Sequence, residues 1–161
     1  LINEEAMSKV KIGKKIPSFS TILDDGSELK SKDFNGKYIV IYFYPKDSTP
    51  GCTKEGEDFR DLHKEFIKSN AQIYGVSRDS IASHQKFKAK YKFPFHLISD
   101  EDESLCKLFD VIKEKNMYGR KYMGIERSTF LINDKGRLLS EWRKVKVKGH
   151  AQEVLDTLRN N

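Results

Sequence analysis

Cysteine is scarce in this chain, which has two, Cys52 and Cys106, among its 161 residues. Two cysteines are too few for a disulfide framework, so we expect a reducing compartment, in the first place the cytoplasm. An organelle or the nucleus stays open if the chain is a fragment of a longer precursor. The histidines have no metal-ligand spacing with one another or with the cysteines, and we expect neither a metal nor another cofactor. They are His63, His84, His96 and His150.

Long apolar runs are also absent, since no stretch approaches the ~20 residues of a membrane helix. With 34% charged and 37% hydrophobic residues, the composition predicts a soluble protein without a membrane partner. The net charge of +6 could suit nucleic acid. However, the lysines are spread along the chain and form no basic stripe with interleaved aromatics. A non-enzymatic protein associated with nucleic acid or chromatin is therefore kept only as the alternative.

The length fits one domain with a proper core, and the sequence contains neither repeats nor low-complexity linkers. The chain begins at Leu1, and Met7 offers a plausible native start. We expect residues 1–10 to be an N-terminal extension or the remnant of a tag. Residues 11–161 are expected to form a single domain.

Hydrophobic patterning alternates strands with helices along the chain. Strands are predicted at 38–44, 71–77, 95–98, 128–132 and 137–143. Helices are predicted at 52–68, 80–92, 102–112 and 150–159, and hairpin turns at 24–27 and 133–136. This order predicts an α/β protein with a thioredoxin-like fold, in which helices flank a central mixed sheet.

Cys52 occupies the most informative position, where the apolar strand 38–44 passes through a short loop into a helix. Unpaired backbone N–H groups and the positive end of the helix dipole lie at such a point. Both favour the thiolate, which is the reactive form of cysteine. Phe59 and Phe66 follow Cys52 at intervals of seven residues, so the thiol is expected on the core-facing side of the helix. The sequence predicts thiol chemistry at Cys52.

The neighbours of Cys52 suit this chemistry. Thr49 carries a hydroxyl that can donate and accept hydrogen bonds, and Pro45 stiffens the loop by fixing φ. Gly51 allows the backbone to come close to whatever Cys52 attacks. Arg127 opens a later strand, from which a permanent charge with several donors could reach the thiol across the sheet end.

The residues around Cys52 resemble the active-site motif of a known family. The pattern Pro45-x-x-x-Thr49-x-x-Cys52 is similar to the peroxiredoxin active-site pattern. Three longer segments resemble the bacterioferritin-comigratory-protein/PrxQ subfamily. They are FYPKDSTPGCT (43–53), RSTFLI (127–132) and WRKVKVKGH (142–150).

The resemblance implies a thiol-dependent peroxidase that reduces hydrogen peroxide and organic hydroperoxides. It makes Cys52 the peroxidatic cysteine, which cycles through a sulfenic acid. Thr49 would hold the peroxide, Arg127 would stabilise the thiolate, and Pro45 would shield it. The N–H groups of Gly51 and Cys52 would add oxyanion-type stabilisation. The implied partners are a hydroperoxide substrate and thioredoxin or another thiol reductant, and the implied state is a monomer.

One departure from the subfamily concerns the resolving cysteine, which many members carry five residues after the peroxidatic one. Glu57 occupies that position here, so a one-cysteine enzyme is expected. Cys106 is interpreted mainly as a buried structural residue, with a resolving role kept open. Glu55 matches an acidic position of the family and is expected to hold Arg127 or the loop. His84 is interpreted as a satisfied core residue.

Two other kinds of enzyme also depend on a reactive cysteine. A thiol–disulfide oxidoreductase would need a second cysteine spaced C-x-x-C from the first. Thr49 and Glu55 stand at the two positions where that cysteine could lie, so this interpretation fails. A cysteine hydrolase would need a histidine base near Cys52, and the sequence assigns none.

Overall fold

The computed structural model describes residues 9–34 and 36–161, and these form nine strands and five α-helices. The strands are β1 (Ser20–Leu23), β2 (Glu28–Lys30), β3 (Tyr38–Phe43), β4 (Ala71–Ser77), β5 (His96–Ser99), β6 (Ile112–Met117), β7 (Arg120–Ile125), β8 (Ser128–Ile132) and β9 (Leu138–Trp142). The helices are α1 (Pro50–Asp61), α2 (His63–Lys68), α3 (Ile81–Tyr91), α4 (Ser104–Leu108) and α5 (His150–Arg159).

The main sheet has the strand order β2-β1-β5-β4-β3-β8-β9. Strands β3, β4 and β5 run parallel to one another. The pairs β1–β2, β1–β5, β3–β8 and β8–β9 are antiparallel. The predicted mixed sheet is therefore confirmed, and the predicted turn at 24–27 joins β1 to β2.

Strand β3 lies inside the sheet and is buried on both faces, as its β-branched and aromatic residues predict. Ile41 and Phe43 face a core shared with α4, which we call the α4-side core. Val40 and Tyr42 face a second core, which we call the α1-side core and which is shared with α1, α2, α3 and α5. The sheet separates these two cores because neighbouring residues of a strand point to opposite faces.

Two predicted helices have different bounds in the structure. The prediction of one helix over 52–68 is wrong, because the backbone leaves helical geometry at Leu62 (φ −99°, ψ 1°) and α2 begins anew. This break leaves both Phe59 and Phe66 in the α1-side core, with their ring centroids 5.9 Å apart. The helix predicted over 102–112 ends at Leu108, since Asp110 adopts a left-handed conformation with φ 53°.

The hairpin β6–β7 forms a separate two-stranded sheet that the sequence pattern did not reveal. Its residues are mostly charged or exposed, so they lack the alternation of apolar and polar residues that marks a half-buried strand. A two-residue turn of Tyr118 and Gly119, with φ of 54° and 80°, joins the strands. Gly119 was the available signal for this turn.

The predicted N-terminal extension falls mostly on residues 1–8, which lie outside the described residues. Val10, inside the predicted extension, is 2% exposed and packs in the α4-side core. The division of the chain at residue 10 stays a prediction. Among residues 9–34 and 36–161, no helix has the length and apolar character needed to cross a membrane.

Candidate active site

The site lies where β3 ends and α1 begins. Phe43, the last residue of β3, pairs with Ser128, the first residue of β8. This register places Arg127, immediately before β8, at the same edge of the sheet as the loop 45–49. Cys52 is the third residue of α1 and is 2% exposed, so the predicted core-facing position of its thiol is confirmed.

The N-terminus of α1 offers hydrogen-bond donors beside the thiol. The first helical bond runs from the Thr53 N–H to the Thr49 carbonyl at 2.9 Å. Thr49 is the N-cap residue, but its hydroxyl makes no capping bond and instead donates to the Lys46 carbonyl at 2.8 Å. Within the described part of the chain, the N–H groups of Gly51 and Cys52 therefore have no hydrogen-bond acceptor.

Arg127 contacts the thiol and a buried carboxylate with different nitrogens. Its Nη2 lies 3.5 Å from Cys52 Sγ, and its Nη1 donates to Glu55 Oε1 at 2.6 Å. The Arg127 side chain is 16% exposed and that of Glu55 is 1% exposed. Gly51 leaves room for this guanidinium, because a Cβ added there would lie 3.1 Å from Nη2.

Burial and the neighbouring Arg127 have opposite effects on the pKa of Glu55. Burial raises the pKa of its carboxyl to about 7, although the charge and the hydrogen bond of Arg127 act to lower it. Its second oxygen, Oε2, has no hydrogen-bond partner among the described residues. Burial likewise acts to lower the pKa of Arg127, but Glu55 and Cys52 raise it above its usual value. The guanidinium therefore stays charged beside the thiol.

Comparison with known proteins places this geometry in a family. Residues 12–140 match the AhpC/TSA family. The chain is 54% identical over 151 residues to peroxiredoxin Bcp of Bacillus subtilis, covering 94% of this chain and 96% of that protein. It is 58% identical over 137 residues to peroxiredoxin Bcp of Xanthomonas campestris, covering 85% and 86%.

The chain belongs to the AhpC/TSA family and is a peroxiredoxin of the Bcp/PrxQ type. A structure of peroxiredoxin Q from X. campestris superimposes with a TM-score of 0.87 at 51% identity, covering 96% of this chain and 98% of that one. Another X. campestris structure, with a TM-score of 0.86 at 50% identity and coverage of 96% and 98%, is of a bacterioferritin comigratory protein with alkyl peroxide reduction activity. The thioredoxin-like fold expected from the sequence is thereby confirmed. This peroxiredoxin is a thiol-dependent peroxidase, and the nucleic-acid alternative is not favoured.

The second thiol of this peroxiredoxin lies on the other side of the sheet. Cys106, on α4, is fully buried in the α4-side core, whereas Cys52 borders the α1-side core. The Cys106 N–H donates to Asp100 Oδ2 at 2.8 Å. Burial raises the pKa of the Cys106 thiol well above its ordinary value, and the neighbouring Asp100 raises it further. Both cysteines are free.

Two further residues singled out from the sequence lie in the active-site loop and on α1. Pro45 lies two residues beyond the end of β3 and is partly buried. Glu57, at the position of the subfamily's resolving cysteine, lies 3.8 Å from Arg60 on the outer face of α1. The roles of Pro45, Thr49, Gly51 and Arg127 stay predictions.

A buried polar cluster beside the active-site loop was missed by sequence reasoning. Asp47, in this loop, and His84, on α3, form an ion pair with 2.7 Å between His84 Nδ1 and Asp47 Oδ2. With Asp79 they are the one group among the described residues whose ligand atoms lie close enough to hold a metal. In this structure His84 Nδ1 makes a hydrogen bond with Asp47. The expected absence of a metal stays a prediction.

Glu55→Gln tests the electrostatics of the buried pair. The folded pKa of about 7 lies above the ordinary 4.5. The folded protein therefore holds an extra proton between these values, and Glu55 makes the free energy of unfolding fall as the pH rises through this interval. We expect Glu55→Gln to flatten that fall in denaturant titrations from pH 4.5 to 7.5.

The matched control is Glu114→Gln, since Glu114 is 60% exposed on β6. It should leave the pH dependence of stability unchanged. If Glu55→Gln shows the same pH dependence as the unsubstituted protein, Glu55 does not titrate in this range.

Proposed function

We propose that Cys52 is the peroxidatic cysteine of a one-cysteine peroxiredoxin that reduces hydrogen peroxide and organic hydroperoxides. The observation that carries the proposal is the position of Cys52 Sγ, 3.5 Å from Arg127 Nη2 in the first turn of α1. A guanidinium and free N–H groups at one thiol stabilise negative charge that develops next to it during the reaction.

In the proposed reaction the Cys52 thiolate attacks the nearer oxygen of the hydroperoxide. The S–O bond forms as the O–O bond breaks, so the sulfur is oxidised to a sulfenic acid and the peroxide is reduced. The second oxygen leaves with the bonding electron pair and takes up a proton, giving water or an alcohol. Arg127 and the N–H groups of Gly51 and Cys52 would stabilise the charge that moves along the breaking bond. The Thr49 hydroxyl, in the same loop, would orient the peroxide.

The one-cysteine type is supported by the separation of the thiols. A disulfide requires Cα atoms within about 7 Å of each other. Cys52 and Cys106 border different cores on opposite faces of the sheet, and Glu57 replaces the nearer resolving cysteine. Two external thiols would then reduce the sulfenic acid. They are oxidised to one disulfide, the Cys52 thiol is regenerated and water is released.

We also propose that a groove beside the site receives the organic part of a hydroperoxide. This groove, of ≈ 720 Å³ between α1 and α5, is lined by Gly51, Leu62, Val147 and Ala151 and also by the polar residues Lys54, Asp58, Asp61, Lys148 and Gln152. Its surface could hold the hydrocarbon part of a substrate through burial of apolar area. The alkyl peroxide reduction activity of the X. campestris relative agrees with this substrate class.

We further propose thioredoxin as a suitable external reductant and the cytoplasm as the compartment. Two free cysteines on separate cores agree with a reducing environment. The monomeric state implied by the resemblance stays a prediction.

Cys52→Ser is expected to abolish peroxide turnover, because a serine hydroxyl does not ionise usefully at neutral pH. Turnover is measured as hydrogen peroxide consumption with dithiothreitol. Cys106→Ser is the matched control, since it makes the same change in the other core and should retain near-complete turnover.

Near-normal turnover by Cys52→Ser would make the assignment of Cys52 wrong. Loss of turnover in a folded Cys106→Ser variant would instead make this a two-cysteine enzyme.

Arg127→Ala is expected to slow the reaction with peroxide by about tenfold to a hundredfold, the range for losing a hydrogen bond to a charged group. The measurement is the second-order rate constant at limiting peroxide. Arg137→Ala is the control, because Arg137 is exposed and its side chain donates only to the Gly13 carbonyl among the contacts described. An unchanged rate in Arg127→Ala would show that the 3.5 Å contact has no part in catalysis.

A further inference from the structure

The polar cluster beside the active-site loop is unusual in its burial. His84 is fully buried and Asp47 is 6% exposed. Asp47 lies between Pro45 and Thr49, whereas His84 lies 37 residues further along the chain on α3. This pair therefore joins the loop in front of Cys52 to a separate helix.

Asp47 is held by four hydrogen bonds. Its Oδ1 accepts from the Tyr44 hydroxyl at 2.6 Å. Its Oδ2 accepts from the Ser83 hydroxyl at 2.8 Å and lies 2.7 Å from His84 Nδ1. Its own N–H donates to Asp79 Oδ2 at 2.9 Å. Three side chains from two different segments of the chain therefore converge on one carboxylate.

The geometry sets the protonation of His84. Its Nε2 lies 2.9 Å from the Ile98 carbonyl, which can only accept, so Nε2 carries a proton. Its Nδ1 faces the Asp47 carboxylate, which already accepts from two hydroxyl groups and offers Nδ1 only acceptor oxygens. With both ring nitrogens facing acceptors, the surroundings of His84 favour the doubly protonated imidazolium.

The loop that Asp47 anchors is held in a strained conformation. Ser48, between Asp47 and Thr49, has a left-handed backbone with φ 65°. For a residue other than glycine this conformation is sterically disfavoured. Such a conformation persists where surrounding contacts determine it, and the bonds to Asp47 are adjacent contacts that can do so. Thr49, the next residue, is the N-cap of the helix that carries Cys52.

We propose that His84, as a buried imidazolium, is a positioning residue for peroxide reduction: by holding Asp47 it fixes the loop that places Thr49 and the N-terminus of α1 around the substrate. This inference rests on the proposed function of Cys52. His84 does not touch the reacting atoms, so it acts through the position of the loop. Small displacements of positioned groups have large effects on rate.

The position of the loop should then depend on pH. Burial acts to lower the pKa of His84, but the hydrogen bond and charge of Asp47, the Ile98 carbonyl and the charge of Asp79 raise it above its usual value. The ring of Tyr44, the residue after β3, also faces His84, with 6.4 Å between the ring centroids. Its hydroxyl stays protonated, because burial and Asp47 raise its pKa well above 10.

Loss of the His84 proton places a ring lone pair against the Asp47 carboxylate. A pKa raised on folding gives stability that is complete below the unfolded pKa and is lost as the pH rises through the folded pKa. The peroxide rate constant should therefore fall at alkaline pH, above the usual 6.5 of histidine. A variant without His84 should lack this fall.

The test is His84→Gln, which removes the charge but keeps amide donors. We expect the second-order rate constant with hydrogen peroxide to fall by about tenfold, the effect of losing a charged hydrogen bond. Alkylation of Cys52 by chloroacetamide should change by less than about twofold, because Arg127 and α1 stay in place. The alkaline fall in the peroxide rate should disappear. The control is His96→Gln, since His96 makes a similar 2.7 Å contact with Asp24 but is 42% exposed.

An unchanged peroxide rate or a retained alkaline fall in His84→Gln would overturn the proposal. An equal change in the peroxide rate and the alkylation rate would also overturn it, because it would indicate a general effect on the fold or the thiolate.

If His84→Gln does not fold, Ser83→Ala is the second test, because it removes one hydrogen bond to Asp47. We expect a smaller, selective fall in its peroxide rate. An unchanged rate would overturn the proposal. Residual turnover in Cys52→Ser would contradict the proposed function instead, so the two failures are distinguishable.

Discussion

The contact of one guanidinium with both a thiol and a buried carboxylate is the interaction on which the site depends. Arg127 reaches Cys52 and Glu55 with separate nitrogens. The antiparallel pairing of β8 with β3 sets this position, because it brings the start of one strand to the end of the other. Gly51 then allows the guanidinium to approach the helix closely. The register of β3 and β8, the N-terminus of α1 and the charge of Arg127 therefore all act at Cys52.

The sheet also separates the two thiols chemically. Cys52 meets a cation and helix N–H groups at the rim of the α1-side core. Cys106 lies in the α4-side core beside the Asp100 carboxylate, where its pKa is raised. The same residue type thus has opposite environments on the two faces of one sheet. This contrast is the physical basis for the proposal of a single reactive cysteine.

Much of this could be predicted from the sequence, since the strong strands and the strand-to-helix position of Cys52 follow from local patterns. Helix ends were predicted less well, because Leu62 and Asp110 leave helical geometry within segments of continuous apolar periodicity. The hairpin β6–β7 was missed because its residues are charged and exposed. The pair of Asp47 and His84 was also missed, because its members meet only after parallel strands bring α3 beside the loop.

The central claim is that this arrangement makes Cys52 the reactive thiol. The most direct measurement is mass spectrometry of the unsubstituted protein after one equivalent of hydrogen peroxide, without reductant and with a trap for sulfenic acid, followed by peptide mapping. We expect the trapped oxidation on the peptide that contains Cys52, with Cys106 recovered as the free thiol. Oxidation first at Cys106, or a dominant disulfide between Cys52 and Cys106, would contradict this account.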